Sequence, residues 1–284
     1  MALLSGGVAF FDSGIGGLTV LQTCLESLKG QTIYYYGDNA RAPYGNLSTK
    51  TILGYVEQAF DTFADLQVKA AVLACNTVTA LCIQHLRERY SFPIVGAEPA
   101  IFPAAQAGGE ILVLCTQRTA ESERLRLLKE RAEQRYPNAR ITIAPCPSLA
   151  KAIEQSPWQP VQDVSALLPK QKADGVVLGC THYIYYKKYI QQFYNCPVFD
   201  GNQGIQRQLS RILAKNRDER PLFSPNDENK PEKDLSPWEK LKNITQNPEN
   251  CTKNVCLTMP LFLGSGQENN ENVYKQMFGF NKNV

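Results

Sequence analysis

The sequence predicts an α/β fold: two similar, mainly parallel-sheet α/β domains related by a pseudo-twofold, with the candidate site in the cleft between them. Three observations point there. Short apolar runs alternate with amphipathic stretches, the pattern of strands joined by crossover helices. Residues 70–77 (Ala-Ala-Val-Leu-Ala-Cys-Asn-Thr) nearly repeat as residues 175–182 (Gly-Val-Val-Leu-Gly-Cys-Thr-His). The offset is steady, since Cys180 lies 105 positions after Cys75 and Pro197 lies 104 after Pro93. Buried parallel strands resemble one another, so chance likeness is the alternative; the constant offset favours a fold built twice.

Taken in order, residues 8–11 form a short buried strand that Asp12 ends, followed by a Gly-rich turn and an apolar run from Leu18. Residues 33–36 form a second strand. Residues 51–65 are predicted helical because Ile52, Val56, Ala59, Phe60 and Phe63 share one face. A strand over 70–74, a helix over 78–89 and a strand over 93–95 complete the first unit. The pattern restarts with a strand over 110–114, a charged amphipathic helix over 121–136 and a strand over 141–144. A helix over 161–168, a strand over 176–178 and a last strand over 197–199 follow. Residues 215–250 are dominated by Asn, Asp, Glu, Lys and Pro, which predicts a flexible or poorly packed insertion. A strand over 255–263 and a short closing helix over 271–278 end the chain. The first domain is therefore expected to hold residues 1–97 plus about 206–284, and the second 98–205.

Composition narrows the function. Apolar residues make up 43% of the chain, enough for an ordinary core. With 30 basic against 27 acidic residues and no basic stripe interleaved with aromatics, nucleic acid is not an expected partner. The apolar start has no Lys or Arg before it and stops at Asp12, unlike a secretory signal. No apolar run reaches the roughly 18 residues of a membrane helix. A cytoplasmic protein without membrane association is expected. Nine cysteines, an odd number, are then expected as reduced thiols. Cys251 and Cys256 lack a second pair or a His cluster, so no metal site is predicted.

Cys75 and Cys180 each close an apolar run and open a polar one, Asn76-Thr77 in the first case and Thr181-His182 in the second. Ligands gather at the carboxyl ends of such strands, and a thiol near a helix N-terminus has its thiolate stabilised. A buried structural cysteine is the competing reading for each. Two thiols facing each other across a cleft suit removal of a proton from one face of a carbon and delivery to the other. His182 is a reasonable proton partner for Cys180, whereas His85, beside Arg87 and Arg89, reads as surface. The segment Asp12-Ser13-Gly14-Ile15-Gly16-Gly17 is no dinucleotide fingerprint, because Thr19 stands where a third glycine is needed. Asp12 suits a ligand amine or a charge partner for a nearby thiol, with a plain turn capped by Ser or Asp as the alternative. The polar 37–45 loop has the make-up of a ligand lid, with Arg41 either meeting a carboxylate or held by Asp38. Thr116, Thr119 and Ser122 mirror the Asp12 loop in the second unit, with helix capping the alternative for Ser122.

Together Phe11-Asp12-Ser13-Gly14-Ile15-Gly16-Gly17-Leu18, Pro43-Tyr44-Gly45, Ala74-Cys75-Asn76-Thr77, Val95-Gly96-Ala97-Glu98-Pro99-Ala100 and Leu178-Gly179-Cys180-Thr181-His182-Tyr183 resemble the glutamate racemases of the aspartate/glutamate racemase superfamily, over about residues 8–205. The resemblance implies interconversion of L- and D-glutamate without pyridoxal phosphate or other cofactor, with D-glutamate supplied to peptidoglycan synthesis. It implies Cys75 and Cys180 as the acid/base thiols, with Asp12 and His182 as helpers. It implies Glu154, after Cys146-Pro147, as a residue that orients the Cys180 side. Substrate contacts are implied from Asp12, Ser13, Tyr44, Gly45, Asn76, Thr77, Thr181 and His182, and Thr119 joins them as a substrate-binding candidate. The chain departs from the family pattern at Val78, Cys115 and Ile184 and in the 215–250 insertion. None of these removes a catalytic group. A homodimer is the expected assembly. Three other readings stay open: an aspartate or related amino-acid racemase, a non-catalytic amino-acid-binding regulator, and a redox sensor using the two cysteines.

Overall fold

The computed structural model describes residues 6–160, 163–218 and 261–263. Four strands of a first sheet come early: β1 (Val8–Asp12), β2 (Ile33–Gly37), β3 (Ala70–Leu73) and β4 (Ile94–Gly96). Four more build a second sheet: β5 (Gly109–Cys115), β6 (Ala139–Pro145), β7 (Gly175–Gly179) and β8 (Val198–Phe199). A late strand, β9 (Leu261–Leu263), adds to the first sheet beside β2. The orders are β4-β3-β1-β2-β9 and β6-β5-β7-β8. Every neighbouring pair is parallel. Read from β2, the first sheet runs β2-β1-β3-β4, the same order as β6-β5-β7-β8. Cys75 and Cys180 thus follow equivalent strands, β3 and β7.

Helices α1 (Gly17–Cys24), α2 (Thr49–Asp65), α3 (Asn76–Arg89), α4 (Ile101–Ala107), α5 (Gln117–Ala120), α6 (Glu123–Arg135), α7 (Pro147–Gln155), α8 (Lys187–Tyr194) and α9 (Asn202–Asp218) cover the sheets. Strands β1, β3 and β7 are buried on both faces, which is why they read as continuous apolar runs, whereas the edge strand β6 alternates buried and exposed residues. Val8 and Phe10 of β1 pack with Leu18 and Leu21 of α1 and with Ile205 and Leu209 of α9. Ala9 and Phe11 face the other way, toward Val56 and Phe60 of α2 and Val78 of α3. The second sheet divides likewise: Leu112 and Leu114 join the cluster holding Cys180, while Ile111, Val113 and Cys115 join the cluster under α4 and α6. Among the described residues no helix is long and apolar enough to cross a membrane.

Phe60 is fully buried, with ring centroids 5.3 Å from Phe63, 5.4 Å from Tyr90 and 6.0 Å from Phe92. Phe60→Ala is expected to destabilise the protein by about 3–5 kcal/mol. A urea titration checks this as a lower midpoint at unchanged slope.

Several elements differ from expectation. The helix predicted over 161–168 is a 3-10 turn at Val164–Leu167, opened by Asp163, whose side chain accepts the Ser165 N–H; residues 161–162 lie outside the described residues. The predicted 121–136 helix starts two residues later, because the Ser122 hydroxyl accepts the Leu125 N–H and caps α6. Helices α1, α4, α5, α7, α8 and α9 were not predicted as helices. Helix α9 runs to Asp218, so the start of the predicted insertion is helical, and its remainder lies outside the described residues. Of the strand predicted over 255–263 only β9 is described, and the helix predicted over 271–278 lies outside the described residues.

Candidate active site

Cys75 occupies the N-cap position of α3, two residues past Leu73, the last residue of β3. It is 5% exposed, and its sulfur lies 3.4 Å from the Ser13 hydroxyl. Burial, with the nearby Asp12 charge adding to it, pushes this thiol up to about 12, against the Ser13 contact and the Val78 N–H, which lower it. The helix N-terminus therefore does help the thiolate, as the sequence suggested, but desolvation wins. Cys180 contributes to the same rise, so the two sulfurs lie within electrostatic reach of each other. Asp12 is wholly buried. One carboxylate oxygen accepts N–H groups from Gly14 (3.2 Å) and Gly17 (2.9 Å), and the other has no hydrogen-bond partner. Burial raises the Asp12 carboxyl above its usual range, with His182 pulling the other way. Turn-capping and an unspent acceptor thus coexist in one side chain.

Cys180 takes the matching place after β7, opening a 3-10 stretch at Thr181–Tyr186. Its sulfur lies 3.7 Å from Nδ1 of His182, whose Nε2 lies 2.5 Å from Oε1 of Glu154 on α7. Burial alone would lower the imidazole; the Glu154 carboxylate and the Cys180 contact overturn that and hold His182 well above its ordinary value. His182 can accordingly carry a proton between Cys180 and the carboxylate side. Cys115 and Cys146 are also pushed up to about 12 by burial.

The seam joins the two sets. Oε1 of Glu154 accepts the Ile15 N–H at 3.0 Å, bringing the 12–17 loop of the first half against the relay of the second. A methyl group on Gly14 would overlap Glu154, and one on Gly16 would lie 2.5 Å from Nδ1 of His182 and 2.7 Å from the Thr181 hydroxyl. The imidazole is pinned on both nitrogens and cannot retreat. Gly16→Ala is therefore expected to cost about 1–3 kcal/mol of stability and to displace the imidazole, seen as a lower thermal midpoint and a changed His182 NMR resonance.

The hydroxyls of Thr77, Thr116 and Thr119 form a triangle, with Thr77 2.9 Å from Thr116 and 3.3 Å from Thr119, and Thr116 2.9 Å from Thr119. Asn76 donates to the Ala97 carbonyl at 3.2 Å. A cavity of about 10 Å³ touches Asn76, Cys180 and Thr181, room for about one water.

Direct contacts thus join Ser13 to Cys75, Glu154 and His182 to Cys180, and Thr77 to Thr119, while Asn76, Cys180 and Thr181 touch one small cavity. A methyl group on Gly45 would lie 3.3 Å from the Thr116 side chain. Tyr44 is buried with its hydroxyl on the Asp38 carboxylate, which also takes Arg41 at 3.0 Å; Arg41 stacks on Tyr55 as well. Arg41 is thus held by Asp38. Ser122 serves as a cap, and His85 sits on the surface beside Glu57. Sequence reasoning missed Ile15, Tyr35 and Tyr185, which fix the 12–17 loop: the Tyr35 hydroxyl donates to the Gly14 carbonyl and the Tyr185 hydroxyl to the Ile15 carbonyl, each at 3.0 Å. The available signal was the run Tyr183, Tyr185, Tyr186 just after Cys180, since buried tyrosine hydroxyls seek partners. Among the described residues no group of three or more His, Cys, Asp or Glu side chains is placed to hold a metal ion.

Comparison with known proteins follows the same lines. The family model described as Asp/Glu/Hydantoin racemase matches residues 16–208. Glutamate racemase of Clostridium kluyveri (strain ATCC 8527) is 37% identical over 222 residues, covering 73% of this chain and 84% of that protein. The crystal structure of Escherichia coli glutamate racemase with L-glutamate and the activator UDP-MurNAc-Ala has a TM-score of 0.65 at 28% identity, covering 74% of this chain and 83% of that one. That of Francisella tularensis glutamate racemase with D-glutamate has a TM-score of 0.63 at 26% identity, covering 76% and 83%. The matched stretch holds the whole second sheet, strands β2, β3 and β4 of the first and both strand-end thiols, and the chain belongs to the Asp/Glu/Hydantoin racemase family of isomerases.

Proposed function

We propose that this chain interconverts L- and D-glutamate by a cofactor-independent, two-thiol proton transfer, supplying D-glutamate for peptidoglycan synthesis in the cytoplasm. One observation carries the mechanism: thiols at the ends of equivalent strands, each with its own polar partner, Ser13 for Cys75 and His182 for Cys180. The names and bound glutamate of the related structures support the substrate.

The α-proton of an amino acid is weakly acidic, so fixed dipoles and close positioning must stabilise the carbanion-like transition state. Asp12, with one oxygen unspent, suits the ammonium group. Backbone N–H groups and side chains at Asn76-Thr77 and Thr181-His182 suit the α-carboxylate. Ser13, Tyr44, Gly45 and Thr119 complete the substrate contacts. One thiol begins as thiolate and the other as thiol, and the roles exchange with direction. The narrow cavity requires the two halves, residues 1–97 plus about 206–284 and residues 98–205, to part for glutamate to enter.

The test is purified protein with L-glutamate in D₂O, followed by NMR and circular dichroism. Loss of the α-proton signal with decay of optical activity to zero is expected. Racemisation of L-aspartate alone would reassign the substrate. Tight amino-acid binding without exchange would make the chain a binding protein and end the enzymatic reading.

A further inference from the structure

Tyr185 reaches from the second half into the first. It lies five positions past Cys180, and its ring packs against both the Cys180 cluster and the α1–α9 cluster. Its hydroxyl donates to the Ile15 carbonyl at 3.0 Å, the same carbonyl that accepts the Leu18 N–H at 3.1 Å in the first turn of α1. The Ile15 N–H goes to Oε1 of Glu154, the oxygen that meets His182. Both backbone groups of one first-half residue are therefore held by second-half side chains. The same loop carries Ser13, whose hydroxyl lies against Cys75.

We infer that Tyr185 is a positioning residue for the proton relay: by holding the Ile15 carbonyl it docks the 12–17 loop on Glu154 and fixes the line Glu154–His182–Cys180. The inference rests on the racemase reading of this site and deepens it. The physical reason lies in Glu154. A carboxylate oxygen shared by two donors keeps its orientation only while both donors stay in place. His182 is tied to Cys180, so the free variable is the Ile15 N–H, and Tyr185 is the second-half side chain that, beside the Tyr35 and Asp12 contacts within the first half, restrains it. Such outer contacts set the geometry of the groups that react.

Tyr185→Phe keeps the ring, including its edge-on contact with Trp158 at 5.5 Å, and removes only the hydroxyl. The expected result is a fall in kcat of about tenfold in both directions with KM within about twofold. The limb of the pH profile that follows His182 should move to lower pH as its contact with Glu154 slackens. A second readout is independent of turnover: alkylation of Cys180 by iodoacetamide, followed by mass spectrometry, should quicken about tenfold. Trp158→Phe, which alters the edge-on ring contact and leaves the Tyr185 hydroxyl in place, should change neither quantity beyond about twofold. An unshifted pH profile, or equal alkylation rates in wild type and Tyr185→Phe, overturns the inference. If wild type leaves glutamate unexchanged, the substrate reading falls while the alkylation contrast still decides the role of Tyr185.

Discussion

Cys75→Ala and Cys180→Ala are each expected to abolish racemisation in both directions, a loss of at least about a thousandfold in kcat. A racemase needs a base on one face of the α-carbon and an acid on the other, so removing either thiol stops both directions alike. The partial reactions separate the two. Elimination of a β-leaving group needs only the base, so an analogue such as a β-chloro amino acid should still be processed by one of the variants. Optical rotation follows the full reaction and halide release the partial one. Both side chains are buried beside well-packed neighbours, so thermal melts accompany the kinetics to establish that the variants are folded. Racemisation near the wild-type rate in either variant would remove the two-thiol assignment.

Glu154→Gln is expected to have the second largest effect, about a hundredfold in kcat. The substitution keeps the shape and removes the charge that holds His182 above its ordinary value. Glutamine can still accept the Ile15 N–H, but it then offers His182 no anion. The pH profile should shift accordingly: with the carboxylate gone, burial dominates, the imidazole loses its proton at lower pH, and the limb that follows His182 moves down. The stability sign follows the same logic. A histidine raised above 6.5 in the folded state contributes stability fully present below that pH, lost as pH rises through the raised folded value. The stability difference between wild type and Glu154→Gln should be largest near pH 6 and shrink under alkaline conditions. Equal pH dependence in the two proteins would sink the assignment of Glu154 to His182.

Much of the candidate site was readable because it sits where strands end. An apolar run that stops at Cys75-Asn76-Thr77 or at Cys180-Thr181-His182 announces both its burial and its polar terminus. The duplication was readable for the same reason. Several helices were not, three of them for identifiable reasons. In α4, Pro103 lies inside the helix and argues against it locally. Helix α7 opens on Pro147, a start signal that the short, weakly periodic stretch before Glu154 obscured. Helix α9 carries Ile205, Leu209 and Leu213 on one face, spaced i, i+4, i+8, but that short pattern was given no element, and the polar composition from residue 215 drew its last turn into the predicted insertion. The contacts that assemble the site were beyond reach, because Tyr185 and Ile15 are 170 positions apart and neither carries a motif that names the other.

The unlike surroundings of the two sulfurs, a hydroxyl and a carboxyl near one, an imidazole and a carboxylate near the other, bear on enzyme economy. Mirror-image amino acids have equal free energy in water, so the forward and reverse specificity constants must be identical whatever the protein does. Lopsided environments can therefore reveal themselves only as a higher turnover number matched by a proportionally weaker saturation constant for one hand of the substrate.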